Sequence, residues 1–212
     1  MFKLSQFAAL GLAAALAFTI SPATAATITV SATLPTKAIA NPNPTATGST
    51  GAVNPPGTPA YYNNVVGNQF TNDKMVARSP WEDTDLFATG VYSSVSQNSF
   101  AIFDFDKLQT GFSLVWGSPD TWNNLLIELI SGGNVATING VQMVPPGVSG
   151  LKAVLLTVTN VEFDRLKLTS DQNAFEFANL TATPVPLPAA AWMLIAGVGG
   201  LVALGRRRRA NA

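Results

Sequence analysis

Between Gly90 and Leu180 no stretch of ten or more residues carries the 3.6-residue apolar spacing of a helix. Instead, short β-branched and aromatic runs recur, with turn residues between them. The runs are Val91–Val95, Ser99–Asp106, Phe112–Trp116, Leu125–Ile130, Val135–Ile138, Leu151–Asn160, Glu162–Leu168 and Ala174–Leu180. Ser96-Gln97-Asn98, Gln109-Thr110-Gly111, Gly117 to Asn123 and Ser131-Gly132-Gly133-Asn134 separate several of them; the last is a strong hairpin signal. Thr27–Leu34 alternates apolar and polar residues and adds a first strand. Many short strands at regular spacing predict an all-β fold, an antiparallel β-sandwich of jelly-roll-like type.

Two segments interrupt this pattern. Pro35 to Pro59 is rich in Pro, Gly, Asn, Thr and Ala, and such a composition buries too little apolar surface to offset its ordering entropy. It is expected as a flexible insertion at the edge of the domain. Tyr61 to Thr89 is expected to be irregular and polar, with Trp81, Tyr61 and Tyr62 as exposed aromatics.

The two ends are apolar. Met1 to Ala25 has Lys3, an apolar stretch from Phe7 to Ile20, the helix breaker Pro22, and Ala23-Thr24-Ala25 as a small-x-small cleavage site. These are the parts of a secretory signal peptide. At the other end, Val185-Pro186-Leu187-Pro188-Ala189 precedes an uncharged apolar run and then Arg206, Arg207, Arg208 and Arg209. As a helix, Leu187 to Gly205 spans roughly 28 Å, close to a ~30 Å bilayer core. The arginines then remain on the cytoplasmic side. The expected organisation is a signal peptide over residues 1–25, an ectodomain over 26–183, and a terminal segment over 184–212 with a transmembrane helix over 187–205.

Charge narrows the partners. The chain has 12 basic and 12 acidic residues, but Lys3 and the four terminal arginines lie in the apolar ends. Ala26 to Gly205 keeps seven basic against twelve acidic side chains, a net of about −5. That balance argues against nucleic acid and anionic lipid surfaces as partners of the body. The sequence has no Cys and no His. Disulfides, thiol nucleophiles, the Ser-His-Asp triad and histidine acid–base chemistry are therefore excluded.

The order of motif, apolar helix and arginine cluster resembles the VPLPA-CTERM class of sorting signals, a variant of PEP-CTERM. The matching residues are Val185, Pro186, Leu187, Pro188, Ala189 and Arg206 to Arg209. The body is also similar to those that precede such tails, through Trp116 to Asn124 and the Ala174–Asn179 strand. Ala178 departs from the acidic residue usual at its position. The resemblance implies processing by an exosortase, a membrane-embedded cysteine transpeptidase or protease. It also implies tethering in the inner membrane before processing, and then a cell-surface or extracellular protein in a polysaccharide-rich setting.

Within the body, paired carboxylates are the catalytic device that remains. Asp104 and Asp106 share one strand face, about 6–7 Å apart, a separation like that of glycosidase carboxylates. A solvated strand face opposite basic neighbours such as Lys107 explains them equally, and no catalytic residue is assigned. Asp120, Trp122 and Asn123 form the most site-like cluster, with a carboxylate and an amide to bond sugar hydroxyls and an indole to stack on a ring. The competing reading is a structural turn opened by Pro119-Asp120. Glu82, Asp83 and Asp85 put three carboxylates in four residues, a donor type that calcium accepts, without the ligand spacing of an EF-hand. A solvated acidic loop competes, so no metal or other cofactor is assigned. Asn179-Leu180-Thr181 matches a glycosylation sequon.

The expectation is a non-enzymatic, exported surface or matrix protein associated with exopolysaccharide. The alternatives are a lectin-like module binding carbohydrate or calcium and, last, a glycoside hydrolase.

Overall fold

The computed structural model describes residues 26–119, 126–139 and 153–186, and Ala196 alone. The described chain is all-β. Its strands are β1 (Thr27–Ser31), β2 (Ala46–Ser49), β3 (Tyr61–Val65), β4 (Gln69–Thr71), β5 (Lys74–Ala77), β6 (Tyr92–Val95), β7 (Ser99–Gly117), β8 (Leu126–Ser131), β9 (Asn134–Asn139), β10 (Ala153–Ser170) and β11 (Phe175–Pro184). Nine of them form one antiparallel sheet; β4 and β5 form a separate hairpin. No helix among the described residues is long and apolar enough to cross a membrane.

β7 and β10 are the axis of the sheet. They pair from Ser99 opposite Ser170 to Gly117 opposite Ala153. Each changes its outer neighbour along its length. The start of β7 takes β2, and its later part takes β11. The start of β10 takes β1, and its later part takes β8, which pairs in turn with β9. β11 continues through β6 to β3.

The long ladder doubles back on itself. Phe103 lies opposite Leu166, whereas Phe177 lies opposite Trp116. In a flat sheet Phe103 and Trp116, thirteen residues apart on β7, are separated by roughly 40 Å. Yet the Phe103 and Phe177 rings meet edge-on, with centroids 6.0 Å apart. Register shifts in β10 between Thr159 and Arg165 mark where the ladder is interrupted, and bulges of this kind bend strands and increase their twist. Between the facing halves lies one core, with Phe103, Leu166 and Leu168 from one half and Leu114, Leu156, Phe175 and Phe177 from the other. A second cluster, Trp81, Tyr92, Val115 and Ala178 among its members, covers the outer side of the β11–β7 half.

Several expectations change. Ser99–Asp106 and Phe112–Trp116 are one strand, and Gln109-Thr110-Gly111 is not a turn. Gly111 is needed for close approach, since a Cβ there would lie 2.5 Å from the Val158 carbonyl oxygen. Leu151–Asn160 and Glu162–Leu168 likewise merge within β10. The stretch from Tyr61 to Thr89 contains three short strands. Trp81, expected to be exposed, is fully buried and its indole N–H donates to the Val91 carbonyl at 3.0 Å.

The 35–59 segment, expected as a flexible insertion, is seated on the sheet. It supplies β2, where Gly48 lies against the Phe100 ring with no room for a Cβ. It also supplies Asn41, whose amide N–H groups donate to the Ser93 hydroxyl and the Phe177 carbonyl. The Asn41 side-chain oxygen accepts from the Leu180 N–H at 2.9 Å. Side-chain amides here replace the apolar burial that the segment lacks. The Ser131–Asn134 hairpin forms as expected, between β8 and β9.

Candidate functional site: an open groove over the central strands

A recess of about 400 Å³ lies where β7 and β10 pair at Asp104 and Arg165. Its construction depends on one irregularity. In a regular strand, successive side chains alternate between faces. In β10, Phe163 is buried, Asp164 and Arg165 are both exposed, and Leu166 is buried again. The alternation breaks where the pairing jumps from Phe163 opposite Gln109 to Arg165 opposite Asp104, two residues of β10 against five of β7, a ladder irregularity that lets neighbouring side chains emerge together. Asp164 and Arg165 therefore both border the groove.

Asp104 stands across the ladder and is ion-paired with Arg165. Its other oxygen accepts from the Thr45 hydroxyl at 2.9 Å. The hydrogen bond from Arg165, and then that from Thr45, hold the Asp104 carboxyl below the usual carboxylate range. A general acid needs a shift in the opposite direction. Asp106 is exposed on the same face, as the period of two requires.

Phe105 and Ile130 contribute apolar surface to the groove. The Phe105 ring packs edge-on against buried Phe163, with centroids 5.7 Å apart. The β8–β9 turn closes one side through Gly132 and Gly133, whose φ values are 53° and 86°. Nothing lies within 4 Å of a Cβ built on either glycine, so the turn leaves its backbone bare beside the recess.

A smaller recess of about 160 Å³ is bordered by Met75, Arg78, Asn173 and Glu176. Glu176 is buried and accepts from the Arg78 backbone N–H at 2.8 Å. Alternation in Ala174–Asn179 places it opposite the core-facing Phe175 and Phe177. What buries it is the covering segment around Trp81, which strand periodicity does not disclose. Together with burial, its charge raises the Tyr92 pKa, burial being the larger cause.

The other candidates are dispersed. Asp120, Trp122 and Asn123 lie outside the described residues, between β7 and β8. So do Ala23 and Ala25, Leu187, Pro188 and Ala189, and Arg206 to Arg209. Val185 and Pro186 are described, and the Val185 N–H donates to the Leu108 carbonyl at 2.9 Å. Glu82 is ion-paired with Arg78 and accepts from the Asn68 amide at 3.2 Å. Among the described residues no group of three or more acidic side chains is arranged to hold a metal. In the sequon, the Asn179 amide donates to the Lys37 carbonyl and its oxygen accepts from the Ile39 N–H, leaving 7% of the residue exposed. Its nitrogen is engaged in holding the fold.

Comparison of the chain with protein-family models, with curated proteins and with solved structures gives no match.

Proposed function

We propose that this chain is an exported cell-surface or extracellular-matrix protein, sorted by an exosortase and associated with exopolysaccharide. In this reading its body is a non-enzymatic, jelly-roll-like β-sandwich, and the doubled antiparallel sheet supports that architecture. The observation that carries the reading is the ordered tail: the Val185–Ala189 motif, the uncharged run after it, and Arg206 to Arg209. The hydrogen bond from Val185 to Leu108 adds to it. β11 ends at Pro184 and the Val185 N–H still bonds to β7, so a cut beyond Pro186 leaves the hydrogen bonds among the described residues intact. The apolar segment holds the unprocessed chain in the inner membrane, with the arginines inside.

The test is the intact mass of the protein recovered from its native host, in membrane and medium fractions. A product that begins near Ala26 and ends near the Val185-Pro186-Leu187-Pro188 motif is expected. A membrane product retaining Arg206 to Arg209 would make the segment a plain single-span anchor and remove the exosortase from the account.

A further inference from the structure

We propose that the groove between Asp104 and Gly133 is a binding cleft for a neutral polysaccharide chain. The choice of a glycan among hydroxyl-rich ligands rests on the surface reading above; the groove itself does not. Three observations lead to that chemistry.

The first is the pairing of donor and acceptor. Vicinal hydroxyls of a sugar both donate and accept, and they are best met by a carboxylate and a guanidinium held side by side. Asp104 and Arg165 are held so by their ion pair and by the Thr45 hydroxyl. The remaining guanidinium N–H groups serve as donors. Asp164, exposed and bordering the same groove, adds a second carboxylate.

The second is the surface beside these groups. Half-buried Ile130, directly opposite Arg165 in the β10–β8 ladder, offers an apolar patch for the C–H face of a sugar. Gly132 and Gly133 leave the opposite wall without side chains, so a chain longer than one ring passes without a clash. The volume lies within the roughly 300–1,000 Å³ of small-ligand clefts.

The third is the sign of charge. Two carboxylates face one guanidinium in the groove, and on the same two strands Asp106 and Glu162 are exposed against one exposed lysine, Lys107. A net negative rim repels uronate and sulfated polymers and leaves neutral ones unopposed.

The test uses the full chain, purified in a detergent without a sugar headgroup. It is titrated with dextran, galactan, mannan and polygalacturonate, alongside the variants Asp164→Ala and Arg165→Ala. Both side chains are exposed, so melting temperatures close to the parent are expected and will show that the fold is intact. The proposal expects binding to at least one neutral polymer, no binding to polygalacturonate, and about a tenfold or greater loss of affinity in each variant, as for a lost hydrogen bond to a charged group. Failure of every neutral polymer to bind, or tighter binding of polygalacturonate, overturns it. So does neutral binding that survives both substitutions, which would move the site elsewhere. Host fractionation is independent of these outcomes, so the groove can fail while the surface reading stands, and the reverse.

Discussion

Asp104 and Arg165 are the side chains on which most of the groove depends, and their effect is local. Both are exposed, and ion pairs in water contribute little to stability because solvent screens them. The pair acts on protonation instead. Since the Asp104 pKa is lowered in the folded protein, its contribution is present above the unfolded value of about 3.9 and is lost as pH falls through the lower folded value. Arg165→Leu should return the Asp104 pKa towards the ordinary range while the melting temperature stays nearly unchanged. A carboxyl-carbon NMR titration reads this directly, and an unmoved Asp104 would mean that Thr45 alone sets its state. Asp104 could be singled out in the sequence because alternation puts it on a strand face with Asp106. Its partner could not, since Arg165 lies sixty-one residues away and meets Asp104 only through the register of β7 with β10.

At the level of elements, the 35–59 segment is the instructive case. Its composition is that of a loop, and by composition alone nothing would hold it. The structure holds it with amides: Asn41 ties it to β6 and β11, and Asn179 on β11 ties down Lys37 and Ile39 just before it. Removing a buried partner strands the groups that it satisfied, at about 1–3 kcal/mol. Asn41→Ala should therefore destabilise the protein by that order, and hydrogen exchange should quicken at the Leu180 amide and within β2. Protection at Leu180 equal to the parent would show that Asn41 is not the pin. Strand positions were legible where a β-branched or aromatic run stands between turn residues, as in β6, β8, β9 and β11. The joins inside β7 and β10 were not, because Gln109-Thr110-Gly111 has turn chemistry, whereas Gly111 serves to bring two backbones together.

For the molecule as a whole, the core between the sheet halves and the cluster on its outer side bury enough of Tyr61 and Tyr92 to couple stability to alkaline pH. Burial pushes Tyr61 up to about 12 and raises Tyr92 as well. A raised folded-state pKa gives stability that is fully present below the unfolded value of about 10 and is lost as pH rises towards the folded one. Urea midpoints should thus fall between about pH 10 and pH 12, and the Tyr61 and Tyr92 phenolates should appear at 295 nm together with unfolding. Tyr61→Phe should flatten part of that fall. Ionisation of both rings at pH 11 in a protein that is still folded would contradict the packing around them.

The sequence by itself determined the first strand and the β-rich character of the chain from Gly90 onward, because alternation and turn chemistry are local and need no partner to be legible; β2 to β5 escaped it. It determined equally the absence of thiol and imidazole chemistry and the ordered motifs of the tail. Only the tertiary structure decided that β7 and β10 are single long strands, that the loop-like segment is pinned to the sheet, and that Glu176 is buried. The groove belongs to the same category. Asp104, Phe105, Gly132, Gly133, Asp164 and Arg165 come from three separate stretches of chain, and their meeting depends on the registers of two ladders, β7 with β10 and β10 with β8, and on the irregularity in the first. Register is a property of paired strands, and no single stretch of sequence contains it.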